Sequence, residues 1–335
     1  MDTAGRRLGA RARRGARRRQ ALSITALCAA AVLVLTLVTV HAVRSAGDTA
    51  SAVTGKPRIV TTTNFLDDTV RQIGGEHIDT VRLMPPGVDP HLYQAKASDL
   101  REMRQADAVF AVGLYLEGSL QRTLEEIGRS RPVLFAGSAI PRDLLLSPPS
   151  DAAPEEEYDP HVWFDPALWA YVVQAVTDQL AEIDPEHADD YRLRGAEYRA
   201  RVLGLTGEIR ALIERIPETK RQLVTSHDAF RYFGRAFGMN VVAIQGISTQ
   251  SEATTTDVNR VAARIADSGV PSVFVETSVP RQMLDSVLAA VRQQGKDVRI
   301  GGELYSDSAG DDGTPEGTYL GMIRANAAQL VAGLT

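Results

Sequence analysis

From about residue 58 onward, short apolar runs alternate with amphipathic stretches. Arg58–Thr62, Thr80–Met84, Ala108–Val112 and Pro132–Ala136 predict strands, and Leu66–Ile73, Ala97–Arg104 and Leu116–Ile127 carry helical spacing between them. The alternation resumes with strands at Gln222–Thr225, Asn240–Ile244, Ser272–Glu276 and Asp297–Gly301. Helices are expected there at Asp228–Phe237, Thr255–Ser268 and Arg281–Gln293. Such a pattern predicts an α/β fold whose sheets are mostly parallel and flanked by helices.

Between the two sets, Tyr191, Tyr198, Val202, Leu205, Ile209, Leu212 and Ile216 recur in helical register, interrupted only by Gly195 and Gly204. The spacing predicts one long helix from Pro185 to Ile216, about 45 Å for about 30 residues. A chain of 335 residues exceeds the usual single-domain length of about 100–200. Two lobes joined by a stiff helix are therefore expected: an N-terminal lobe at 57–184, the linking helix at 185–217 and a C-terminal lobe at 218–335.

The N-terminal pattern is different. Arg6, Arg7, Arg11, Arg13, Arg14, Arg17, Arg18 and Arg19 face one acid, Asp2, and an uncharged stretch from Ala21 to Val40 follows. Residues 1–45 thus read as an export signal, either cleaved near Val40-His41-Ala42 or retained as a membrane anchor, with a small-residue tether at 46–56. Lipidation at Cys28 is a third route, although Leu27 is large for a lipoprotein cleavage box. The Arg18-Arg19 pair loosely matches a twin-arginine signal. Eight arginines against one acid give residues 1–20 a charge of +7, so the remainder of a chain at −5 carries −12. That charge argues against nucleic acid as a partner. Cys28 is the single cysteine, so no internal disulfide forms.

Against this scaffold the histidines stand out. His91 lies in Asp89-Pro90-His91-Leu92-Tyr93 and His161 in Asp159-Pro160-His161-Val162-Trp163; His227 sits in Thr225-Ser226-His227-Asp228, beside a predicted strand end. The local grammar of Asp-Pro-His, an apolar residue and an aromatic occurs twice on different connections, which a random scatter of loop histidines would not produce. Three imidazoles with one carboxylate suit Zn²⁺, and Mn²⁺ if the carboxylate binds through both oxygens. On spacing alone Asp307 competes with Glu303, Asp311 and Asp312 for that carboxylate. Asp89, Asp159 and Asp228 fit either support of the neighbouring histidines or turn and cap roles. His77 and His187 have no such context and are assigned to the surface. The Pro-, Asp- and Glu-rich stretch Ser147–Asp159 reads as a solvated loop.

Several ordered motifs resemble the zinc/manganese solute-binding proteins of ABC importers, the cluster A-I metal receptors. They are DPHLY at 89–93, DPHVWFDPALW at 159–169, SHDAFRYFGRAFG at 226–238, QGISTQSEA at 245–253, GGELYSDSAG at 301–310 and GTYLGM at 317–322. The similarity spans about residues 57–333. It implies a two-lobed receptor on a rigid helix, one metal held by His91, His161, His227 and Asp307, and delivery to a membrane permease and its ATPase. It settles the carboxylate as Asp307 and suggests that Glu276 supports a ligand from behind. A histidine at position 227 favours zinc over manganese, whereas the acidic Ser147–Asp159 loop lacks the histidine run of many zinc-dedicated members. The expected molecule is an exported monomer without enzymatic activity, whose Asp307 loop rearranges to release metal. A secreted zinc hydrolase and a surface adhesin anchored by Ala21–Val40 are the rival readings. The hydrolase lacks a HExxH-type motif.

Overall fold

The alternation of apolar runs folds into parallel sheets in a computed structural model that describes residues 55–150 and 152–335. The expected leader and most of the tether lie outside the described residues. In the N-terminal half, β1 (Arg58–Thr61), β2 (Asp79–Arg82), β3 (Ala108–Ala111) and β4 (Val133–Phe135) form one parallel sheet in the order β2-β1-β3-β4. Crossovers run through α1 (Asn64–Gly74), α2 (Ala97–Gln105) and α3 (Gln121–Gly128). In the C-terminal half, β5 (Gln222–Thr225) pairs parallel with β6 (Asn240–Ala243), and β7 (Ser272–Glu276) with β8 (Arg299–Leu304). β5 lies beside β7. Helices α6 (Arg231–Phe237), α7 (Thr255–Ser268) and α8 (Gln282–Gln293) complete that half.

Strands of a sheet covered on both faces bury both sets of side chains. Ile59, Ala108 and Phe110 face a large core that continues through both halves of the molecule, and Val60, Val109 and Ala111 face a smaller one with Met84, Met103, Leu120 and Leu124. The large core is continuous because α5 (Ala188–Ile213), the predicted long helix, packs against α1, α4 (Pro166–Ile183), α6 and the C-terminal α9 (Tyr319–Leu334). Lys56–Thr335 accordingly form one compact unit, and the fold is the two-lobed one expected, with its sheets tied through a single long helix. No helix of the described residues is long and apolar enough to cross a membrane.

Three departures from the sequence reading have clear causes. Residues 116–120 are not α-helical. Leu114 and Tyr115 take left-handed φ values of 55° and 68°, and a 3₁₀ turn at Gly118–Leu120 precedes α3. The turn brings the buried Glu117 carboxylate back to accept hydrogen bonds from the Val112 and Gly113 N–H groups at 2.8 and 3.0 Å and from the Thr62 hydroxyl at 2.6 Å. Helices α4 and α9 had no counterpart among the predicted elements. Both are apolar over a broad arc, so neither shows an amphipathic rhythm. The N-terminal signal of α4 was nonetheless legible: Asp165 accepts from the Ala167 N–H and Pro166 opens the helix.

The two glycines that interrupt the long-helix pattern do opposite things. A Cβ at Gly195 would lie 2.1 Å from Thr177 Oγ1 and 3.0 Å from Thr177 Cβ, so this glycine lets α4 and α5 approach closely. A Cβ at Gly204 would meet nothing within 4 Å. Alanine at Gly204 should therefore stabilise by about 0.5–1 kcal/mol through helix propensity. The same change at Gly195 should destabilise by about 1–3 kcal/mol through overpacking. Urea unfolding of the two variants reads the sign directly.

Candidate metal centre

The four predicted ligands arrive from separate connections. His91 lies on the loop after β2, His227 directly after β5 and Asp307 after β8, all at the carboxyl ends of strands, where open α/β sheets collect their ligands. His161 immediately precedes a 3₁₀ turn, Val162–Phe164, that leads into α4.

The repeated Asp-Pro-His motif has a local structural explanation. Asp89 Oδ1 accepts from the His91 N–H at 2.9 Å, and Asp159 Oδ1 from the His161 N–H at 3.0 Å. In both, an aspartate two residues upstream closes a side-chain turn and presents the imidazole. Asp159 also meets the His161 ring at Nδ1, 2.8 Å away. Behind His227, Glu276 at the end of β7 plays the corresponding part: Oε1 accepts from the His227 N–H at 2.9 Å and Oε2 lies 2.5 Å from Nδ1. With Nδ1 so engaged, the His161 and His227 rings present Nε2 to the centre. Asp228 does not join the centre. It pairs with Arg231 at 3.7 Å, and burial, reinforced by nearby Asp159, raises its carboxyl to about 6.

The three Nε2 atoms converge on Asp307. His91 and His161 stand 3.6 Å from its oxygens and His227 stands 3.2 Å away. One donor atom from each of the four residues lies within 4.8 Å of the others. Donors about 2.0–2.2 Å from a tetrahedral ion are separated by about 3.4 Å, so the spacing matches such an ion. The three Nε2 atoms and both Asp307 oxygens are buried with no hydrogen-bond partner. Five orphaned polar atoms at one point are costly in a folded protein unless something else satisfies them.

Electrostatics acts on these side chains in opposite directions. Burial pushes the His91 imidazole down to about 3, leaving it neutral and ready to donate a lone pair. Burial also works against charge on His227, but the Asp307 and Glu276 carboxylates reverse this and hold its pKa well above the ordinary histidine range. For Asp307, burial alone would raise the pKa; the imidazoles, His227 foremost, keep it well below the usual carboxylate range. The Trp163 ring stands edge-on to His161 with centroids 5.2 Å apart, walling that side with apolar surface.

Of the other carboxylates that fitted by spacing, Glu303, Asp311 and Asp312 are exposed, and Asp312 is engaged by Arg82. His77 and His187, assigned to the open surface, are half-buried and stack on each other with centroids 4.0 Å apart. His187 is held by Asp184 at 2.7 Å and His77 by Asp190 at 3.0 Å. Sequence reasoning assigned nothing to Thr249 or Gln250, although both lie in the QGISTQSEA motif.

The family described as zinc-uptake complex component A, periplasmic (ZnuA), matches residues 59–333. The zinc-binding protein TroA of Treponema pallidum is 40% identical over 288 residues, covering 86% of this chain and 92% of the relative. The manganese-binding lipoprotein MntA of Bacillus subtilis is 39% identical over 269 residues, covering 80% and 87%. The solved structure of the periplasmic zinc-binding protein TroA superposes with a TM-score of 0.80, covering 84% of this chain and 100% of that one. A match that runs from β1 through α9, joined to relatives of this identity, shows that the chain belongs to the zinc-uptake complex component A family.

Proposed function

We propose that the chain is an extracytoplasmic solute-binding receptor. It captures Zn²⁺, with Mn²⁺ as the alternative cargo, through His91, His161, His227 and Asp307 and hands it to an ABC-transporter permease served by its ATPase. The observation that carries this reading is the convergence of five buried, unpartnered donor atoms from both halves of the molecule. Three imidazoles favour zinc. Both Asp307 oxygens face histidine nitrogens, which leaves the two-oxygen binding that manganese prefers open to the same residue. We assign the lobes to 57–184 and 218–335 and the link between them to 185–217, and we place the molecule outside the cytoplasm as a monomer tethered or released by its N-terminus.

The relatives are named as binding proteins, and four protein donors fill a tetrahedral ion's positions, leaving none for the water a zinc hydrolase activates. Metal content of protein purified without added metal, followed by competitive Zn²⁺/Mn²⁺ titration, tests the reading. Stoichiometric, reversible binding without turnover is expected. Zinc-dependent cleavage of peptide or ester substrates would favour the hydrolase instead.

The raised His227 pKa gives a second expectation. In the metal-free protein His227 carries a proton between two carboxylates, and that proton must leave when a metal takes Nε2. Calorimetry in buffers of different ionisation enthalpy should therefore report release of about one proton per ion at neutral pH. The sign for stability follows from the same shift. The His227 contribution in the metal-free protein is fully present below its unfolded pKa of about 6.5 and is lost as pH rises through the higher folded value.

A further inference from the structure

All four donor residues are sealed, His91 being 2% exposed, Asp307 1%, and His161 and His227 0%. A cargo can leave such a site only when a covering segment moves. The Asp307 loop, expected from its composition to be that segment, is pinned instead. The Trp163 indole N–H donates to the Ser306 carbonyl at 3.0 Å, and the Gly87 N–H donates to the Ser308 hydroxyl at 2.8 Å. The Asn64 amide both donates to and accepts from the Ala309 backbone at 2.9 Å. Rings 161 and 227 are braced by their carboxylates.

His91 is held differently. Among the described residues no carboxylate bonds its ring from behind, so its position depends on its main chain. Its N–H donates to Asp89 Oδ1, and its carbonyl accepts from the Ser119 hydroxyl at 3.0 Å and from the Gln250 side-chain amide at 3.0 Å. The other Asp89 oxygen accepts from the Thr249 hydroxyl at 2.6 Å. Thr249 and Gln250 belong to the loop between β6 and α7 in the C-terminal half, 160 and 159 residues from their partners. Gln250 also has a fitted seat. It lies over Gly118, where a Cβ would come within 2.9 Å of its amide nitrogen.

We propose that Thr249 and Gln250 form a latch between the two halves that positions His91 through Asp89 and through its own carbonyl, and that opening this latch sets the rate at which metal leaves. The two residues act through His91 and touch no ion themselves. This inference rests on the receptor reading above. It moves the site of release from the Asp307 loop to the 245–253 loop.

The test is zinc dissociation from the full chain into excess chelator, followed by stopped flow. Thr249→Val with Gln250→Leu keeps the shape of both side chains and removes their donors. It should speed dissociation about tenfold, equivalent to about 1.4 kcal/mol, with the thermal midpoint of the metal-free protein unchanged. Thr249→Ser, which restores the hydroxyl, should dissociate at the wild-type rate when Gln250 is intact. In a His91→Ala background, where zinc affinity is read by competition, the double change should have no further effect. Wild-type dissociation from the double variant would overturn the latch while leaving the receptor reading in place. So would an effect that persists without His91. If the double variant fails to fold, Thr249→Val alone decides by the same rate comparison. Failure of the wild-type chain to take up zinc or manganese would instead defeat the receptor reading, and the latch with it.

Discussion

His227→Ala should weaken zinc binding by about a thousandfold, about 4 kcal/mol, without abolishing the fold. The residue supplies Nε2 at 3.2 Å from Asp307, the shortest of the three histidine approaches to that carboxylate. His227 is fully buried between Asp307 and Glu276. Its loss strands two buried carboxylates, and breaking a buried ion pair in this way costs about 3–5 kcal/mol. The metal-free variant should therefore melt earlier than wild type while its circular dichroism, below the transition, keeps the native shape. Competition titration under those conditions separates lost coordination from lost folding; wild-type affinity would remove His227 from the set of donors.

Glu276→Gln comes next in size, although Glu276 reaches no ion. The carboxylate accepts from both the His227 N–H and the ring, and no amide can do both, because one of its two ends is a donor. Glutamine thus turns or loosens the imidazole and removes a negative charge that makes it basic. Outer partners of ligating histidines are worth about 10–100-fold in affinity, and the variant should fall in that range. It should also bind with less proton release at neutral pH, since His227 loses one of the two carboxylates that hold its proton. An affinity loss with unchanged proton release would indicate a purely structural role for Glu276.

Much of this centre was legible because its chemistry is local. The Asp-Pro-His motif encodes a side-chain turn in three residues, so its repetition at His91 and His161 carried information without knowledge of the fold. Strands β5 and β7 and helix α7 matched their predicted bounds because their apolar runs are bracketed by clear stops. Asp307 was different. What separates it from Glu303, Asp311 and Asp312 is burial, in a loop that Trp163 and Asn64, far away in sequence, pin at Ser306 and Ala309. The same holds for Thr249 and Gln250, whose partners lie in the other half, and for the His77–His187 stack. Glu117 shows the limit for regular structure: a carboxylate that caps the Val112 and Gly113 N–H groups just past β3 across a tight turn broke a helix that periodicity had extended through it.

The most direct measurement is an anomalous-difference map at the zinc edge from crystals of the loaded protein. A single peak about 2.0–2.2 Å from the Nε2 atoms of His91, His161 and His227 and from an Asp307 oxygen is the predicted result. An ion bound elsewhere, with these four side chains left uncoordinated, would contradict the account.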